Sequence, residues 1–156
     1  MSQETSGQIN LEEQLDNILD EYSLTKNAGN EFSGDVSEYL SMSRDELEAL
    51  SKEERYTASL RLAQFGIYLQ RIMNREKARI SWANSSIFSI AARHWDNYGE
   101  MVKADIKMYK IAHENPTMDK VIKIKNHAQI RIDELDGVAQ LIKHFSDMMM
   151  RSTYVT

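Results

Sequence analysis

Cysteine is absent from the 156 residues, which removes disulfides, thiolate zinc sites, iron–sulfur clusters and cysteine nucleophiles from consideration. Proline occurs once and glycine six times, too few turn-formers for a sandwich or barrel, which needs a turn every ten residues or so. No apolar run reaches the roughly 18 residues of a membrane span. The opening Met1-Ser-Gln-Glu4 has neither a basic nor an apolar leader region. A soluble, cytoplasmic protein is the expectation. What remains is 42% hydrophobic and 28% charged, a composition suited to one domain, or to one domain with a tail.

Charge is unevenly placed. The formal net charge is −5, yet residues 1–55 hold 14 acids and four bases, and residues 56–156 hold 15 bases and ten acids. Between Arg71 and Arg131 there are twelve bases and six acids. Such asymmetry points to nucleic acid or to an acidic interaction tail, against the plainer reading of two solvated faces of opposite sign.

Hydrophobic spacing predicts helices throughout. Met1 to Asn10 is polar and reads as disordered. Leu11, Leu15, Ile18, Leu19 and Tyr22 share one face of a short acidic helix, which either packs on its own body or serves a partner. Leu24 to Ser41 reads as a linker, which makes 1–42 an acidic tail ahead of a bundle over 43–151. Capping boxes at Ser43-Arg-Asp-Glu46 and Ser51-Lys-Glu-Glu54 open a short and a long helix. From Lys52 to Trp95 the positions Leu62, Phe65, Leu69, Ile72, Glu76, Ile80, Ala83, Ile87, Ile90 and His94 step by threes and fours, a coiled-coil-like seam. Asn84-Ser85-Ser86 is its weakest stretch, a candidate kink.

Asp96 to Gly99 ends that helix, Glu100 to Glu114 reads as another, and Asn115-Pro116 caps a last one running to about Met149. Its seam is Met118, Val121, Lys125, Ala128, Ile132, Leu135, Ala139 and Ile142. Gly137 within it costs roughly 1 kcal/mol against alanine, for which tight helix packing is one reason. The predicted fold is all-α: a long helical hairpin or bundle with coiled-coil-like seams. Glu76 and Lys125 are polar seam residues of the kind that fix register or oligomer state, so a homo-oligomer is expected.

Enzyme chemistry finds little footing. His94, His113, His127 and His144 lack metal-binding spacing, no phosphate-cradling glycine loop or Gly-x-Ser-x-Gly elbow is present, and neighbouring carboxylates such as Asp133, Glu134 and Asp136 sit at solvated positions. No catalytic residue, metal or cofactor is expected. Beside the first seam, Arg71, Arg75, Arg79, Trp82, Ser86, Ser89 and Arg93 form an acid-free stripe of guanidinium groups, hydroxyls and an indole. Arginine forks suit phosphates, and Trp82 offers a face for a base. Lys103, Lys107 and Lys110 make a second basic row, and Lys120 and Lys123, near Arg131, a third. Folding is expected to gather these rows at one end of the hairpin. The competing reading makes them ion-pair rows flanking the seams, with the tryptophans widening the core. Without a helix-turn-helix, zinc finger or zipper, sequence-independent single-strand binding fits better than duplex reading.

Tyr68-Leu69 and Glu76-Lys77 in a long helix, an interrupted middle, then Asn115-Pro116 and Ala128-x-x-Arg131-x-x-x-Leu135 resemble the layout of phage UvsY-type recombination mediators. The resemblance covers roughly Tyr56 to Met149 and is one of layout and periodicity. It implies a small helical oligomer without catalysis that binds single-stranded DNA. Such a protein helps load a RecA-like recombinase onto strands coated by single-strand-binding protein, in the host cytoplasm if phage-encoded. Carried over, it makes Arg71, Arg75, Lys77 and Arg79 strand contacts and the last helix an assembly surface. The alternative is a helical scaffold or adaptor that self-assembles or holds a partner helix without nucleic acid. Lowest stands a peptide-binding inhibitor built on Leu11–Tyr22.

Overall fold

The structure, a computed structural model, describes residues 4–25 and 34–154, with side chains described for 11–22 and 36–154. The fold is all-α. Helix α1 spans Glu4–Thr25, α2 Gly34–Ser41, α3 Arg44–Ala49, α4 Lys52–His94, α5 Ala104–Glu114 and α6 Pro116–Ser152, with a 3₁₀ turn at Trp95–Asn97. Among the described residues no helix is long and apolar enough to cross a membrane.

Local chemistry sets the helix starts. The Ser43 amide donates to Glu46 Oε2 at 2.7 Å, and the Glu46 amide donates to Ser43 Oγ at 3.3 Å. Ser51 and Glu54 repeat the pattern at 2.6 and 3.1 Å, and the bond from the Ser51 amide holds the Glu54 carboxyl below its ordinary value. Asn115 Oδ1 accepts the Met118 amide at 3.1 Å and Pro116 takes the first helical position, so α6 opens as its sequence predicts. Helix α4 then runs unbroken for 43 residues through Asn84-Ser85-Ser86, where Ala83 is fully buried, and no interruption marks the expected kink.

Several boundaries differ from expectation. Glu4–Asn10 is helical and continuous with the Leu15–Tyr22 stretch, so the polar start extends a helix that packing anchors further along. Within the expected linker, Gly34–Ser41 forms α2 and buries Val36; residues 26–33 lie outside the described residues. Glu100–Val102 stay out of α5, because Tyr98 turns extended and the Val102 amide closes a turn on Gly99 O at 3.0 Å.

The chain divides into two compact units, Met1–Lys26 with Glu76–Ile130 and Asn27–Arg75 with Arg131–Thr156. This replaces the division at residue 42, since α1 packs as part of the first unit. Unit 1 has one cluster of Leu15, Tyr22, Ala83, Val121, Ile124 and Ala128, and another of Ala91, Ile111 and Met118 flanked by Trp95 and Tyr98. Unit 2 is built on Val36, Leu62, Leu69 and Ile142, with Phe65, Leu135 and Phe145 against them. Each fully buried aliphatic contributes about 1.5–3 kcal/mol. Ser59 and Ser146 exchange hydrogen bonds inside unit 2: Ser59 Oγ reaches Ser146 O at 3.0 Å, and Ser146 Oγ donates to Ser59 O at 2.9 Å. Arg55 donates to the Glu48 carbonyl at 2.8 Å and the Ser152 carbonyl at 3.4 Å, joining the ends of α3 and α6. Every predicted seam position of α4 and α6 is buried or half-buried; Ile124, fully buried, joins them from outside the predicted seam.

Candidate nucleic-acid interface

In unit 1, α1 lies against α4 and α6 through Leu15 and Tyr22, with Ile18 and Leu19 half-buried and Leu11 40% exposed. Those five residues are the face that the sequence offers to a partner, and the chain packs most of it on itself. The acids beside it meet two of the predicted DNA-contacting cations. Arg79 pairs with Glu21 at 2.8 Å and with Glu76 at 3.2 Å, and Lys120 pairs with Asp16 at 2.8 Å. The Lys120 ammonium is accordingly held above its ordinary pKa by its hydrogen bond to Asp16.

Glu76 is the centre of this contact. It is 1% exposed, accepts a hydrogen bond from Tyr22 Oη and faces the Arg79 guanidinium. Burial, followed by the bond to Glu76, pushes the Tyr22 hydroxyl up to about 12. The Tyr22 ring stacks on His127 with centroids 5.4 Å apart, and Arg79 lies 5.3 Å from its centroid. A seam glutamate signals a buried charge in the sequence, but nothing there names Tyr22, more than fifty positions away, as its partner.

The Lys103, Lys107 and Lys110 row is split. Lys107 is 7% exposed with its ammonium 5.0 Å from the Trp95 ring centroid, because it stands one turn before the core anchor Ile111 on the same face. It is removed from the candidate contacts. Lys103 and Lys110 are exposed, the latter 5.8 Å from the Tyr98 ring, whose hydroxyl bonds Glu114. Lys123 pairs with Asp119 one turn away at 2.9 Å, both being exposed. Arg131, half-buried, belongs to unit 2.

The exposed cations lie mainly along α4. Between Arg55 and Asp96 the only acid is Glu76, and it is buried. In unit 2, α4 exposes Arg71 and Arg75 near Tyr68 in sequence; in unit 1 it exposes Lys77 and Arg93, together with Trp82 at 40% and Phe88 at 77%. None of these four cations forms an ion pair with a described residue. Trp82 is therefore a surface side chain, whereas Trp95 packs beside the Ala91 cluster. Phe88 escapes sequence reasoning because it neighbours the seam residue Ile87. Each stretch of α4 thus offers guanidinium or ammonium groups and aromatic faces with no exposed carboxylate among them. That arrangement can neutralise phosphates and stack bases. Among the described residues no group of three or more histidines, aspartates or glutamates is placed to hold a metal ion.

No family model, curated protein or solved structure matches the chain.

Proposed function

We propose that this chain binds single-stranded DNA without sequence preference, as an accessory protein that helps load a RecA-like recombinase onto strands coated by single-strand-binding protein. The mediator role rests on the layout-level resemblance to UvsY-type proteins. One observation carries the binding: α4 exposes Arg71, Arg75, Lys77 and Arg93 with Tyr68, Trp82 and Phe88, while its one acid over that stretch is buried. Cations held apart from carboxylates keep their charge for phosphates, and counterion release supplies the affinity. Stacking on an exposed aromatic adds about 1–3 kcal/mol per base. Relative to the sequence reading, the contact set loses Lys107 to the core, and Arg79 and Lys120 are engaged by α1.

Fluorescence anisotropy with labelled oligonucleotides over a salt series tests this. Binding at about 50 mM salt that weakens steeply as salt rises is the expected result. Absence of binding there, or indifference to salt, overturns it. A chain with Arg71, Arg75 and Lys77 all changed to glutamine should lose most of its affinity and about two units of salt slope, its helical circular dichroism unchanged.

The scaffold reading draws on a different observation. Leu60, Ile67 and Leu141 are 48–66% exposed, and a helical module that self-assembles would cover such residues. Dissociation of an oligomer in the same triple variant would favour that reading.

A further inference from the structure

We infer that the groove of unit 1 floored by Ala83, Val121, Ile124 and Ala128 is a docking site for the acidic amphipathic helix of a partner protein, with α1 as its resident, displaceable occupant. This inference does not rest on the nucleic-acid reading. The floor is apolar and partly small, so a helix can approach closely. Two cations flank it, Arg79 from α4 and Lys120 from α6, each meeting a carboxylate of α1. Glu76 reaches the groove as a buried acceptor and accepts a hydrogen bond from the occupant's tyrosine hydroxyl.

The occupant's side of the contact is a short code. Leu15 and Tyr22, seven residues apart, are its buried anchors, and the acids Asp16 and Glu21 sit just inside them. Any helix reading Leu-Asp, four residues, Glu-Tyr presents the same four groups. α1 fills the site without exhausting it: Ile18 and Leu19 are half-buried, Leu11 is exposed, and both acids are 57% exposed at the ion pairs. Exposed ion pairs hold weakly, and among the described side chains of α1 only Leu15 and Tyr22 are buried, so few contacts hold its 22 residues in place. Nucleic acid is the wrong replacement. Its phosphates would serve Arg79 and Lys120, but they would leave the apolar floor wet and face the Glu76 carboxylate with like charge.

The probe is a fluorescein-labelled alanine- and glutamine-based helical peptide carrying Leu-Asp, four residues, Glu-Tyr, titrated into the full-length chain. Saturable binding is expected, about tenfold tighter for an Asp16→Asn/Glu21→Gln chain, whose own α1 is held less firmly. Adding Lys120→Glu to that Asp16→Asn/Glu21→Gln chain, whose resident helix no longer uses the lysine, should weaken peptide binding about tenfold, with recovery when the peptide's aspartate is replaced by lysine. Absence of saturable binding to the Asp16→Asn/Glu21→Gln chain, or binding to it that is indifferent to the added Lys120→Glu, overturns the inference. So does displacement of the peptide by an oligonucleotide at equal concentration.

Discussion

Unit 1 buries a carboxylate whose hydroxyl partner comes from distant sequence, whereas unit 2 buries two serine hydroxyls that satisfy each other. Glu76 needs Tyr22 from α1 and Arg79 from its own helix, and the arrangement holds only while α1 is docked. Ser59 and Ser146 trade bonds across α4 and α6 with no charge to neutralise. A buried charge makes its surroundings conditional on a second segment and on pH; a buried hydroxyl pair does neither.

The largest expected effect breaks the conditional side. Tyr22→Phe removes the hydroxyl from Glu76 and leaves a buried carboxylate short of a donor, which costs about 1–3 kcal/mol in denaturant unfolding. The same contact predicts an alkaline transition. Because the folded state raises the Tyr22 hydroxyl from 10.0 to about 12, its stabilisation is complete below about pH 10 and is lost as pH climbs through about 12. Of the seven tyrosines, Tyr98 is also raised, by its hydrogen bond to Glu114, so tyrosinate absorbance should show a late titration whose Tyr22 part disappears in Tyr22→Phe. Should the variant unfold at the wild-type midpoint at neutral and alkaline pH alike, α1 is not held through Glu76.

A smaller effect is expected on the unit 2 side. Ser59→Ala leaves the Ser146 hydroxyl its bond to the Ser59 carbonyl but orphans part of the acceptor capacity at Ser146 O, for a loss of about 1 kcal/mol. That loss should stay constant between neutral and alkaline pH, since no titrating group takes part. A pH-dependent loss there would erase the distinction between the two units.

The two units also differ in how much of them the sequence discloses. Unit 2 follows from local signals: the Ser43 and Ser51 capping boxes and the threes and fours of Leu62, Phe65 and Leu69 against Leu135, Ala139 and Ile142 are all legible. Only α2 is hidden, because Gly34 and its neighbours read as turn-formers and Val36 gains its burial from packing. Unit 1 is less legible, since charged side chains on separate helices decide its contacts. Glu21 reaches Arg79 across 58 positions, and neither residue alone tells an ion pair from a solvated charge. Lys107 shows the same limit: spacing places it in a basic row, and Ile111 one turn later draws it into the core. Periodicity reports which face of a helix is apolar; it does not report which charged neighbours the fold will cover.

The smallest effect concerns Gly137, which spacing places on an unbroken α6 and which tight packing would account for. The structure removes that account: a Cβ at Gly137 would meet nothing within 4 Å, whereas one at Gly66 would lie 3.8 Å from Ile142 Cγ2. Neither glycine has a positive φ, so both are ordinary helical positions. Gly137→Ala therefore recovers backbone entropy without a clash and should raise stability by roughly 0.5–1 kcal/mol, read as an upward shift in Tm. At Gly66 the added methyl makes ordinary contact with Ile142 and fills the space between α4 and α6, so alanine should be tolerated there too. If Gly137→Ala instead destabilises the chain or changes its oligomeric state, a second copy approaches α6 at that glycine. The exposed face carrying Leu141 then becomes an assembly surface, as the scaffold reading requires.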